Sequence, residues 1–182
     1  MPPMIRTKTR GFTLIELLVI VAVIGILLAI ALPAFSGAFG RTDRQRVLNA
    51  LQVAILNARS AAMNADADTI LCASSDGSTC SNSTAWHGGW IVGIDGNNDN
   101  LIGPPEAIVD RQIAFPQPIH MFSTSGRTRL QFQPYGGNGG SNVTFTLCER
   151  GHRASAYVLN NNSQFHEVTP NPAASLAACA GL

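Results

Sequence analysis

The sequence predicts an α+β protein in which a long N-terminal helix, apolar enough to span a membrane, carries an antiparallel β-domain. Three observations predict it. From Phe12 to Leu32 the chain holds 21 residues with one charged side chain, Glu16. Val47, Leu51, Ile55, Ala58 and Ala62 then recur at spacings of four and three, as on one face of a helix. From Asp68 onward, short apolar runs alternate with clusters of Gly, Asn, Pro and Ser, the pattern of antiparallel strands and turns. With 182 residues in all, there is room for one β-rich domain of about 110 to 120 residues with its own core.

The first element is a short basic leader. Arg6, Lys8 and Arg10 precede Gly11, and without them nine basic side chains face eleven acidic ones, so a shortened chain is near −2. No diffuse attraction to nucleic acid follows from that charge.

The second element is the apolar run. At about 1.5 Å rise per residue it covers a hydrocarbon core of roughly 30 Å. Cations before it and the polar bulk after it place the N-terminus in the cytoplasm and the domain outside. An ordinary signal peptide cut near Ala29-Ile30-Ala31 and an uncleaved signal anchor are the bland alternatives. Glu16 argues against both, because a carboxylate in lipid costs roughly 2.5 to 3.5 kcal/mol and persists where it has a partner. Cleavage after Gly11 supplies one: Phe12 becomes an N-terminal ammonium one helical turn from Glu16. In a helical stack of subunits, the carboxylate of one chain then neutralises the ammonium of its neighbour and sets the axial register.

Gly11-Phe12-Thr13-Leu14-Ile15-Glu16 resembles the processing motif of type IV pilins and type II secretion pseudopilins. The resemblance implies cleavage before Phe12 and methylation of its amine by a membrane prepilin peptidase, with Glu16 as the assembly residue. It also implies a helix that bends or melts near Pro33 during assembly, in keeping with the backbone donor that proline lacks. The implied partners are prepilin peptidase, other major and minor pilins or pseudopilins, and the bacterial inner membrane, with the domain periplasmic.

Beyond Gly37 and Gly40 a polar helix resumes, with Asn49, Gln52 and Arg59 off its apolar face. Strands are expected at Thr69 to Ala73, Trp90 to Ile94, Ala107 to Ile113, Ile119 to Phe122, Arg129 to Gln133, Asn142 to Cys148, Ala154 to Asn160 and Gln164 to Val168. The tail from Thr169 to Leu182, rich in Ala and Pro, reads as irregular. The domain organisation is therefore leader 1–11, helix 12–66 and β-domain 67–182.

Cys72, Cys80, Cys148 and Cys179 all follow the apolar run, and an even count in an exported domain favours two disulfides. Zinc is disfavoured, since no C-x-x-C pair is present and His87, His120, His152 and His166 are scattered. Cys72 with Cys80 closes a short loop and Cys148 with Cys179 clamps the tail, which is the expected pairing.

Leu71-Cys72, Cys80, Trp86 to Trp90 with Ile91-Val92, Asp95 to Asn100, and Phe145-Thr146-Leu147-Cys148 resemble the FimT/GspH family of minor pilins and pseudopilins. That resemblance implies a pilin-like fold, a long helix packed on a two-sheet β-domain, and a low-abundance component near a fibre tip. FimT-like members act in type IV pili and DNA uptake, GspH-like members in the type II secretion pseudopilus.

Two further sites are legible. Asp95, Asn97, Asp99 and Glu106 stand at positions 1, 3, 5 and 12 of a calcium-type loop, although Asn100 occupies the place where that loop needs Gly. A polar hairpin loop is the other reading of the same residues. Arg127 and Arg129 in Gly126-Arg127-Thr128-Arg129, with Arg150 and Arg153, suit phosphate and are the DNA-binding candidates. DNA-binding FimT-like members carry G-R-x-R nearer the C-terminus, where this chain has Asn162 to His166 instead. Trp86 and Trp90 flank His87-Gly88-Gly89 and read as core aromatics before a stacking site. No catalytic constellation, phosphate loop or organic cofactor motif is present, so an enzyme is not expected.

Overall fold

The computed structural model describes residues 13–115, 119–140, 142–149 and 154–180, and of residues 31–41 the backbone alone. Two compact units divide the chain, Met1–Arg41 and Thr42–Leu182.

Helix α1 spans Leu14–Ala65. Thr13 opens it: the Thr13 hydroxyl accepts from the Glu16 amide at 3.3 Å, and the Thr13 carbonyl accepts from the Leu17 amide at 3.2 Å. Thr-x-x-Glu is the sequence of a capping box, which satisfies amides that the first turn otherwise leaves bare. In the first unit every described side chain of α1 from Leu14 to Ile30 is exposed. Among the described residues no helical stretch is both long and apolar enough to cross a membrane. The span read from the sequence extends past the described side chains, at Phe12 and again at Ala31 and Leu32. The backbone remains helical through Pro33, Gly37 and Gly40, so the helix expected to resume after Gly40 is a continuation of the same element.

In the second unit α1 buries the face that its periodicity marks. Val47, Leu51, Ile55, Ala58 and Ala62 are all buried, joined by Leu48 and Ala54. The described residues of this unit form eight strands: β1 Thr69–Ala73, β2 Gly89–Ile94, β3 Ile108–Ile113, β4 His120–Ser123, β5 Arg129–Phe132, β6 Val143–Cys148, β7 Ala154–Leu159 and β8 Phe165–Val168. These form two antiparallel sheets, β3-β2-β1-β5 and β4-β6-β7-β8. The order is not a simple meander, because β5 returns beside β1, with Leu71 opposite Leu130.

Both sheets turn alternate residues toward the helix face. Leu71, Val92, Leu130, Phe132, Met121, Phe145, Leu147, Tyr157 and Leu159 share one core with α1. Trp86 and Trp90 lie in it fully buried, Trp86 edge-on to Phe145 with ring centroids 5.2 Å apart. Its indole N–H is satisfied by the Ser123 hydroxyl at 3.0 Å, as a buried donor must be. The strands β1 and β2 are buried on both faces, which explains their unbroken apolar runs. Their second face, Ile70, Cys72 and Ile91, is covered by Ile102. That cover demands Gly93, where an added Cβ would stand 2.6 Å from the Ile102 side chain.

Disulfides join Cys72 to Cys80 and Cys148 to Cys179. Loops of 8 and 31 residues correspond, in the chain-entropy account, to about 2.5 and about 4 kcal/mol. The tail is not irregular. Asn171 accepts from the amides of Ala173 and Ala174, and with Pro172 in the first turn it starts an alanine-rich helix α2, Pro172–Cys179. An Asx cap before Pro and a run of Ala is the local signal for this helix, and a composition rich in Ala and Pro masks it.

Candidate functional site

Glu16 sits in the first turn of α1, exposed, where the positive end of the helix dipole favours a carboxylate. Among the described residues it has no ion-pair partner. Gly11 and Phe12, the expected cleavage junction, lie outside the described residues.

The loop after β2 is built around three carboxylates. One carboxylate oxygen from each of Asp95, Asp99 and Glu106 lies within 4.8 Å of the others. Asp95 is 1% exposed and accepts from the amides of Asp99 at 3.1 Å and Asn100 at 2.9 Å. Glu106 reaches back to accept from the amides of Gly96 at 3.0 Å and Gly103 at 3.2 Å. Asn97 joins through its amide, which donates to Asp99 at 3.0 Å. Asn100 adopts φ +63° and Asn98 φ +58°, so asparagine makes the left-handed turn that the calcium-loop pattern assigns to Gly. Among the described residues no cationic side chain pairs with the three carboxylates. The donor set is that of a hard divalent cation. The same oxygens also hold the loop closed through backbone N–H groups, a complete role without any ion.

The two described arginine candidates share one cavity but differ in exposure and bonding. Arg127 is exposed in the turn between β4 and β5, its amide donating to the Thr124 carbonyl at 2.9 Å. Arg129 is half-buried on β5 opposite Cys72 and donates from Nη1 to the carbonyl of Asn100 at 2.9 Å. Both line one polar cavity of about 290 Å³ with Gln131, Asn100 and Gly139. Arg150 and Arg153 lie outside the described residues.

Two of the contacts that sequence reasoning missed are long-range. Arg44 of α1 pairs with Glu149 at 3.1 Å, 105 residues away. The His87 and His120 rings approach with centroids 4.5 Å apart, and burial, then the nearby His87, push the His120 imidazole below its ordinary value. Inside the Cys72–Cys80 loop, the amides of Ser78 and Thr79 and the hydroxyls of Thr79 and Ser74 hold the Asp76 carboxyl well below the usual carboxylate range. No local pattern announces the Arg44–Glu149 and His87–His120 pairs, whereas the Asp76 turn is local, an Asp capping its own backbone two and three residues on.

The helix with two antiparallel sheets, the stapled tail and a prepilin-type N-terminus define a type IV pilin-like protein, a structural class without catalytic machinery. The chain belongs to the family described as Type II transport protein GspH, which matches residues 47–164, and the Prokaryotic N-terminal methylation motif matches residues 6–32. Among curated relatives it is 46% identical over 46 residues to Fimbrial protein EcpC of Eikenella corrodens, covering 25% of this chain and 30% of that one. It is 50% identical over 42 residues to Fimbrial protein Q of Moraxella bovis (23% and 27%), and 34% over 94 residues to Type IV major fimbrial protein FimA of Dichelobacter nodosus (46% and 59%). The chain thus spans about a quarter to three fifths of the length of these relatives. Two crystal structures of the type IV minor pilin FimU of Pseudomonas aeruginosa share its fold, with TM-scores of 0.52 and 0.55 at 17% and 16% identity. They cover 69% and 71% of this chain, and 92% and 90% of FimU.

Proposed function

We propose that the protein is a minor type IV pilin of the bacterial inner membrane, cut after Gly11 and methylated on Phe12 by prepilin peptidase, which then joins or primes a pilus. One observation carries this reading: a methylation motif over residues 6–32 and a GspH domain over residues 47–164 stand in the same chain. The motif supplies the anchor and the assembly carboxylate Glu16, and the domain supplies a folded head to be displayed. The partners are other pilins. In this account Glu16 pairs with the N-terminal ammonium of a neighbouring subunit.

Replacing Glu16 by Ala removes a costly charge from lipid and leaves the neighbouring subunit's ammonium without its counter-charge. The variant inserts and is processed normally, and its recovery in sheared fibres falls. Recovery at the wild-type level sinks the pairing.

A second reading, a minor pseudopilin of a type II secretion system, is supported by the description of the matching family. Deleting the gene separates the two: the first reading expects loss of surface fibres, the second loss of a secreted enzyme with fibres intact. A role in DNA uptake, if the first holds, falls to the exposed Arg127, because Arg129 is engaged by Asn100.

A further inference from the structure

A groove of about 620 Å³ runs between α2 and the outer face of the sheet β4-β6-β7-β8. Strand alternation builds its floor: Val143, Phe145 and Leu147 face the core, so Thr144 and Thr146 face outward. Phe122, directly across from Thr146, forms one wall and is backed by the His87 ring at 5.3 Å. The alanine face of α2 forms the other wall.

The polar groups of this groove fall into two sets. Thr124 is fully engaged, its hydroxyl donating to the Thr144 carbonyl at 3.2 Å and accepting from the Thr144 amide at 2.9 Å. Among the described residues the hydroxyls of Thr84, Ser125, Thr144 and Thr146 have no partner in the protein. Asn171 has its oxygen committed to capping α2, which leaves the two hydrogens of its amide nitrogen free. Among the described residues no charged side chain lines the groove.

These features select a ligand. A phosphate or carboxylate finds no charge to pair with among the described lining residues. The free edge of β4 is closed, since the Trp86 amide donates to the Met121 carbonyl at 2.8 Å and the Ser123 amide to the Thr84 carbonyl at 2.9 Å, so an extended peptide finds no strand to join. What fits is a neutral molecule with many hydroxyls and an apolar C–H face. We propose that this groove binds a neutral carbohydrate of one or two sugar rings, its C–H face on Phe122 and the alanines and its hydroxyls on the threonines and Asn171. The volume falls in the ordinary range of ligand pockets, about 300 to 1,000 Å³.

The test uses the full chain in a phosphocholine detergent, which has no sugar headgroup, titrated with cellobiose, lactose and N,N′-diacetylchitobiose while saturation-transfer NMR is recorded. At least one sugar saturates in the millimolar range. The double variant Thr144→Val/Thr146→Val, which keeps shape and removes both hydroxyls, weakens it by about tenfold or more. Asn171→Ser, which keeps the cap and removes the amide donors, weakens it in a chain whose fold is undisturbed. Failure of all three sugars to saturate overturns the assignment, as does equal binding by both variants. An uncharged extended peptide that displaces the sugar with higher affinity assigns the groove to a protein partner and also overturns it.

Discussion

Nη1 of Arg129 donates to the backbone carbonyl of Asn100 at 2.9 Å, joining β5 to the acidic loop 29 residues away. The arginine that its motif marks for phosphate thus holds a carbonyl at the turn where Asn100 takes φ +63°. It expects a split between the two arginines. Arg129→Ala loses about 1 to 2 kcal/mol of stability, as a half-buried charged hydrogen bond does, while Arg127→Ala leaves the melt unchanged. For DNA, each phosphate contact contributes a slope of about −0.9 in log affinity against log salt. Titration of labelled duplex at several salt concentrations should find that Arg127→Ala lowers the slope by about 0.9. A wild-type protein that binds no DNA at low salt removes that role.

Asp95 is the most buried carboxylate of the loop, and its replacement by Ala strands the amides of Asp99 and Asn100. The expected loss is about 1 to 3 kcal/mol, read from thermal melts. The same melts in calcium and in EGTA measure the cation expectation: a higher midpoint in calcium, abolished by Asp95→Ala, places an ion among the carboxylates. Identical midpoints leave the backbone network as the loop's whole role.

His120 gives a pH dependence of known sign. Burial holds its folded-state value below that of the unfolded chain, about 6.5, so the unfolded state takes up the proton first as pH falls. Stability is full above about pH 6.5 and decreases below it until the folded imidazole also protonates. Melts from pH 7.5 to 5 should show the decline, and His120→Gln should flatten it. A variant with the wild-type slope assigns the decline to other groups.

Much of the fold was legible because the signals are local. Val47 to Ala62 announced one buried face by spacing alone, and the apolar runs of β1 and β2 announced strands, though not their burial on both faces. Trp86 and Trp90 read as core residues and are core residues. The order of strands was not legible, since β5 pairs with β1 across more than fifty residues and only three-dimensional packing decides that return. The helix α2 was obscured by a composition that reads as tail, although Asn171-Pro172 marks its start. Of the arginine motif the sequence shows which side chains can bind phosphate, but not that a carbonyl such as that of Asn100 engages Nη1 of Arg129.

The claim on which the rest depends is that the chain is a processed prepilin. Glu16 lies in the opening turn of α1, which Thr13 caps, so a cut before Phe12 brings the new ammonium within one turn of that carboxylate. Mass spectrometry of protein purified from membranes reads the N-terminus directly. This account predicts a mature chain that begins with N-methylated Phe12. A chain that begins near Pro33, as ordinary signal peptidase leaves it, or one that retains Arg6, Lys8 and Arg10, contradicts it.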